Sequence, residues 1–326
     1  MAEADAGAAC RTPRRTSRQR VLRAVKLLLV VAAVVLAARA VSGQVGAVRG
    51  HLGDLTPGWT LVAVGTSLLG QAVIALIWRE VLADLGSPLP PLTGARVFLL
   101  AQLGKYIPGS VFAVAGQMEL ATRYDVPRQR SATAGVVTLV LNTAVGGIVA
   151  ICALPLLPDR LARPFLPALL LLPLAGLLHP RVFTAILDRA LRLIRRPPLE
   201  QPLTAGGIAR AAVWCAASWV LLGLHIWALC RDVGASGPVL ALGVTGFAAA
   251  WLVGFVVVVA PAGFGPREAV LVAVLAGSLV GGTGAALLVA GLSRLLLVAG
   301  DALLAGVALG IGQSPAAHRA AQEGLV

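Results

Sequence analysis

Long apolar runs alternate along the chain with short basic or proline-rich stretches, and six of the runs are about the length that crosses a bilayer. They cover approximately residues 22–41, 59–82, 131–154, 162–178, 205–229 and 284–310. About 20 apolar residues suffice for one helical crossing. Two further apolar stretches are interrupted. Residues 92–122 break at Lys105-Tyr106-Ile107-Pro108-Gly109-Ser110, and residues 238–279 break at Ala260-Pro261-Ala262-Gly263-Phe264-Gly265-Pro266-Arg267-Glu268. Each arm around the first break offers about 14 residues, roughly 21 Å of helix, too short for ~30 Å of hydrocarbon. Two half-helices folding back as a re-entrant hairpin are therefore predicted there. The second break repeats the pattern with a longer first arm, which leaves a full crossing open.

The breaks are themselves periodic. Pro108 and Pro261 stand 153 positions apart, as do the spans that begin near 131 and 284. Each half reads span, span, broken hairpin, span. Three full crossings in the first half start the second from the opposite face, which predicts inverted repeats of the kind common in secondary transporters. Frequent Pro and Gly in membrane helices offer chance as the competing explanation. The predicted fold class is an all-α polytopic membrane protein with about six full transmembrane helices and two re-entrant broken-helix hairpins. Residues 1–20 read as a disordered basic tail, 21–312 as the membrane domain (halves about 21–155 and 160–312), and 313–326 as a short C-terminal tail.

Composition removes the alternatives. Apolar residues make up 58% of the chain and charged ones 13%, with a mean hydropathy of +0.88. Soluble domains carry about 25% charged residues, and no single soluble core of this length could hide such an apolar excess. A soluble enzyme, a disordered chain and a disulfide scaffold are excluded. The 27 Lys+Arg against 14 Asp+Glu give a formal charge of +13. These cations cluster between apolar runs, where the positive-inside rule accounts for them better than nucleic-acid binding does. Arg11, Arg14, Arg15, Arg18, Arg20, Arg23 and Lys26 place the N-terminus in the cytoplasm of a cell-membrane protein. The same run could be taken for a signal peptide cleaved near Ala38-Arg39-Ala40; its length and the spans that follow favour an anchor. Residues 181–196 predict an amphipathic helix. Phe183, Ile186, Leu187, Ala190 and Ile194 share one face against Arg181, Arg189, Arg192, Arg195 and Arg196. It suits an anionic cytoplasmic surface or a solvated positive-inside loop.

Candidate chemistry is sparse. Cys10, Cys152, Cys215 and Cys230 fall in no metal or redox spacing, and His51, His179, His225 and His318 are far apart, so no metal or other cofactor is implied. His225, inside an apolar run, reads as a packed histidine. Ionisable groups within spans cost about 2.5–3.5 kcal/mol each on insertion scales, and therefore mark pathways or internal pairs. Arg294 falls near the middle of the last span, with Asp301 two turns on along the same face. A purely structural Arg294–carboxylate pair is the competing reading. The half-helices that begin at about Ser110 and Pro266 would present free N–H groups suited to phosphate. Lys105 and Arg267 would add charge there. Glu268 reads either as a dipole complement or as a contact for a cationic head, and Glu119 with Arg123 as an i,i+4 surface pair.

Two stretches carry a family resemblance. GKYIPGSVFAVAGQ (104–117) with its following basic turn, and APAGFGPREAVLVAVL (260–275) with the later SRLLLVAGDALLAG (293–306), resemble the two signatures of the lysylphosphatidylglycerol synthase transmembrane region, or flippase-like domain family. The matching positions are Pro261, Gly263, Gly265, Arg267, Glu268 and Arg294. Relatives often place an Arg where this chain has Gln117, so no role is carried onto Gln117. The resemblance implies a multipass membrane protein that translocates a polar-headed lipid, an aminoacyl-phospholipid or lipid-linked sugar. No soluble transferase domain follows the last span here, so synthase activity is not carried over and no enzyme activity is expected. The expected function is a lipid flippase whose partner is an anionic, phosphate-bearing membrane lipid. Its headgroup-binding candidates are Lys105, Tyr106, Pro108, Gly109, Ser110, Pro261, Gly263, Gly265, Arg267, Glu268, Arg294 and Asp301. The alternative is a non-catalytic assembly or regulatory subunit for a partner transferase. A membrane glycosyltransferase, which lacks an Asp-x-Asp motif here, and a small-solute transporter are weaker readings.

Overall fold

The computed structural model describes residues 55–107, 112–153, 180–193, 203–235, 239–256 and 265–310, with isolated positions at 155, 163, 176 and 263. Among the described residues every regular element is helical. In chain order these are α1 (Pro57–Asp84), α2 (Pro91–Gln102) with a 3₁₀ turn (Leu103–Tyr106), α3 (Phe112–Ala121), α4 (Arg128–Ala153), α5 (Pro180–Leu193), α6 (Ala205–Asp232), α7 (Val239–Val256), α8 (Pro266–Ala276) and α9 (Gly282–Gly310). Helices α1, α4, α6 and α9 are long and apolar enough to cross a membrane. They match four of the six predicted spans. The runs at 22–41 and 162–178, apart from the isolated positions 163 and 176, lie outside the described residues, as do both termini. Helix α5 forms where the amphipathic pattern predicts it, with Arg181, Arg189 and Arg192 exposed.

Local chemistry sets the helix ends. Pro57, Pro91 and Pro266 each occupy a first helical position, where the missing N–H costs nothing. Helices α1 and α6 stop in the same way. Gly86 (φ 83°) and Gly234 (φ 80°) take the left-handed conformation, so Ser87 N–H reaches Leu82 O and Ala235 N–H reaches Cys230 O, both at 3.0 Å. This closure satisfies carbonyls that a helix end otherwise leaves open.

Both predicted breaks are real. Helices α2 and α3 have 12 and 10 residues, about 18 and 15 Å of rise. They pack against each other, as α7 and α8 do. At the first break a Cβ on Gly104 would stand 2.7 Å from the Ala113 backbone nitrogen, so the returning chain lies directly on that glycine. At the second, Gly263 (φ 71°) packs on Gly254, where a Cβ would come within 3.2 Å of the Gly254 Cα. Pro108, Gly109, Ser110 and Pro261 lie outside the described residues.

Among the described residues, α1–α4 and α6–α9 follow one another with similar spacings. Helices α1 and α6 both have 28 residues and start 148 positions apart, at 57 and 205. They run antiparallel and exchange caps. Asp232, ending α6, accepts the Thr56 N–H (2.5 Å) and the Thr60 hydroxyl (2.8 Å) at the start of α1. Asp84, ending α1, accepts the Thr204 N–H (2.7 Å) and hydroxyl (2.6 Å) at the start of α6. Midway, the Ser218 hydroxyl donates to Gly70 O at 3.0 Å, again across 148 positions. Later elements keep the correspondence with a spacing of 154, since α3 and α8 start at 112 and 266, and α4 and α9 at 128 and 282. The last helix of each half packs on the other half: α4 against α6 and α7, α9 against α1 and α2. Among the described residues the buried side chains form one apolar core that includes Trp78, Trp219, Phe247 and Leu275.

Candidate functional site

The breaks and the last helix meet around one cavity of about 260 Å³. Lys105 and Tyr106 come to it from the 3₁₀ turn after α2, Arg267 from the first turn of α8, and Arg294 and Asp301 from the middle of α9. Gly263 lines it at the second break. Six predicted residues, drawn from both halves and separated by up to 196 positions, therefore surround one space. Gly265 and Glu268 bear on it indirectly, through the bonds described next. Arg294 and Asp301 are seven residues apart, so two helical turns bring them to the same face.

Two ion pairs organise the cavity. Lys105 Nζ lies 2.7 Å from Asp301 Oδ2, and the Tyr106 hydroxyl donates to the same oxygen at 2.5 Å. The Asp301 side chain is only 4% exposed, while Lys105 retains 32%. Arg294 Nε donates to Glu268 Oε1 at 2.6 Å, and the other oxygen of Glu268 accepts the Gly265 N–H at 2.7 Å. Glu268 thus does two jobs. It closes the first turn of α8 as a cap and neutralises a cation buried to 4% exposure two residues from the midpoint of α9. Arg294 does pair with a carboxylate, as the structural reading expects, yet Arg294 itself also lines the cavity.

Arg267 is held differently. Its guanidinium stacks on the Phe247 ring, 4.5 Å from the centroid, and its Nη2 is buried with no hydrogen-bond partner among the described residues. Arg294, Glu268, Tyr106 and Asp301 all lie within electrostatic reach of it. Counted as ionised, Lys105, Arg267 and Arg294 face two carboxylates, Glu268 and Asp301, an excess of one positive charge among the described residues of the cavity. An arginine on an aromatic face with an unpartnered Nη2 can still donate a charge-assisted hydrogen bond to an oxyanion.

Sequence reasoning missed the neutral part of the lining. Gln71 on α1, Gln117 on α3, Thr138 and Asn142 on α4, and Phe98, Phe247 and Trp251 complete the walls. The isolated polar residues within apolar spans were the available signal; only Gln117 drew notice, as a departure from the family pattern. Two surface and core assignments also resolve. Glu119 pairs with Arg128 at 3.0 Å rather than with Arg123, because the turn after α3 folds the start of α4 back beside it. His225 is a packed histidine: Nδ1 donates to Leu222 O, which leaves Nε2 to accept the Ser293 hydroxyl at 2.8 Å. Among the described residues there is no cluster of His, Cys, Asp and Glu able to hold a metal ion.

No curated protein matches this chain. A family model does match, over residues 23–305, and that interval contains every helix of the described core up to the last turns of α9. It also contains both broken segments and all the charged residues of the cavity. A multipass helical membrane protein built on these two signatures, the chain belongs to the lysylphosphatidylglycerol synthase TM region family.

Proposed function

We propose that this protein is a non-enzymatic flippase of the cell membrane, which carries the polar head of an anionic, phosphate-bearing lipid between leaflets. The observation that supports it most is the charge count of the cavity: three cations from two broken segments and a membrane-embedded helix, against two carboxylates. A lipid head needs such a polar station, because an isolated charge in hydrocarbon is costly while the tails are at home there. The phosphate is held by Arg267 and Arg294, beside Lys105, which stays paired with Asp301. Family membership, in a membrane region named for aminoacyl-lipid synthesis, agrees with a lipid substrate.

In this reading the broken segments are re-entrant hairpins and the halves are inverted repeats. The exchanged caps of α1 and α6, their antiparallel pairing and the matched packing of α4 and α9 support that. Rocking one half against the other then exposes the cavity to each face in turn. The N-terminus lies in the cytoplasm, in keeping with its arginines.

The test is translocation of acyl-labelled phosphatidylglycerol in liposomes containing the purified protein. The wild type is expected to move label between leaflets, and Arg294→Ala to fall to the protein-free rate while eluting as a folded, monodisperse species. Arg267→Gln, which leaves both carboxylate pairs intact, is expected to fall at least about tenfold, the loss of one charge-assisted contact. Arg128→Ala, on the exposed pair, is expected to keep the wild-type rate. Wild-type rates in the two cavity variants would remove these arginines from the route, and an inactive wild type would remove the flippase reading.

A further inference from the structure

The cavity carries a second set of unmet bonds, on three amide oxygens and one threonine hydroxyl that can accept or donate. Gln71 Oε1, Gln117 Oε1, Thr138 Oγ1 and Asn142 Oδ1 are buried with no hydrogen-bond partner among the described residues. All four residues line the cavity, and each is between 4% and 8% exposed. Gln71 Nε2 already donates to Ser67 O at 3.2 Å, which fixes its amide with the oxygen as the unsatisfied atom. Leaving a buried acceptor without a donor costs about 1–3 kcal/mol, and native interiors seldom leave several in one place. All four belong to α1, α3 and α4, in the first half of the chain. The arginines Arg267 and Arg294 belong to the second.

The carboxylates carry the other half of the inference. Asp301 is engaged by Lys105 and Tyr106, and Glu268 by Arg294 and the Gly265 N–H. A head bearing an ammonium would find both acids taken and would approach three cations. A head bearing hydroxyls would bring the donors that the amide and hydroxyl oxygens lack, without charge repulsion. Resting on the lipid-head reading of this cavity, we propose that its substrate is a phosphodiester lipid with an uncharged hydroxylated head, of glycerol or single-sugar size. Arg267 takes the phosphate. Gln71, Gln117, Thr138 and Asn142 take the hydroxyls. About 260 Å³ falls below the ~300–1,000 Å³ of ordinary ligand pockets, which fits a small head better than an oligosaccharide.

Binding to the purified protein in detergent tests this without requiring transport. The probes are dihexanoyl phosphatidylglycerol, dihexanoyl phosphatidylethanolamine, dihexanoyl phosphatidic acid and tail-less glycerophosphoglycerol. Phosphatidylglycerol is expected to bind at least about tenfold more tightly than phosphatidylethanolamine, the discrimination that two or more satisfied acceptors provide. Glycerophosphoglycerol is expected to compete with it more weakly, because it lacks the tails. In Gln117→Leu/Asn142→Leu the preference should shrink below about threefold while phosphatidic acid binding holds, since the phosphate contact remains. Thr138→Val, a smaller change, should erode the preference in the same direction. Equal or tighter binding of phosphatidylethanolamine would overturn the assignment, as would an undiminished preference in these variants. Equal affinity for glycerophosphoglycerol would show a soluble ligand in place of a lipid. Absence of lipid translocation would count against the flippase reading alone and leave this preference measurable.

Discussion

Asp301 shows how much of the cavity depends on single side chains. Its carboxylate is nearly sealed from solvent, whereas its partner Lys105 keeps about a third of its surface. The two are therefore not equivalent under mutation. Lys105→Met strands a buried carboxylate with one hydroxyl donor, a defect worth about 3–5 kcal/mol. Asp301→Asn leaves a lysine that can turn toward water, for a loss nearer 1 kcal/mol. Thermal unfolding in detergent should show Lys105→Met melting clearly below Asp301→Asn. At this scale the sequence was informative wherever charge interrupts an apolar run. Lys105, Arg267, Arg294 and Asp301 stand out there because ionisable groups inside spans are rare. Gln71, Thr138 and Asn142 did not, because a neutral polar residue in a long apolar helix is common enough to pass as packing, and only their convergence in space gives them meaning.

Helix contacts in the core are set by glycine. A Cβ on Gly146 of α4 would stand 2.4 Å from the Trp219 ring of α6, and one on Gly300 of α9 would stand 2.4 Å from Gln71 Nε2 of α1. Gly147, its immediate neighbour, has nothing within 4 Å. Gly146→Ala is thus expected to destabilise by about 1–3 kcal/mol through overpacking against a ring that also donates Nε1 to Asn142 O at 2.8 Å. Gly147→Ala should be neutral or slightly stabilising, since alanine is the better helix former. Comparing their melting temperatures checks both. Helix positions and ends were legible from apolar runs, prolines and glycines, to within a few residues for the four described spans. The pairing of Glu119 with Arg128 was not, because i,i+4 spacing describes a continuous helix and the chain turns after Ala121.

Across the whole molecule the correspondence between halves makes a quantitative demand. Asp84 and Asp232 cap each other's helices with the same two acceptors, so Asp84→Ala and Asp232→Ala should each cost about 0.5–2 kcal/mol and by similar amounts. A large asymmetry in unfolding temperature between them would argue that the two ends are not equivalent. The sequence showed this symmetry as the 153 positions between the breaks and between the spans near 131 and 284. The 146 positions between the spans near 59 and 205 already carried the change of spacing, but not the antiparallel pairing of α1 with α6.

The account stands or falls on whether the ionic cavity lies within the membrane, and chemical accessibility measures that directly. In a background with Cys10, Cys152, Cys215 and Cys230 replaced by alanine, single cysteines at Gln102 and Ala113, which line the cavity, and at exposed Arg123 can be labelled in sealed membrane vesicles. A membrane-impermeant maleimide should modify Arg123→Cys quickly from one side. It should reach Gln102→Cys and Ala113→Cys at least about tenfold more slowly, with added dihexanoyl phosphatidylglycerol slowing them further, as expected of a buried cavity that binds a lipid head. Labelling of all three at the same rate, insensitive to lipid, would put the broken segments in ordinary loops outside the bilayer and contradict the account.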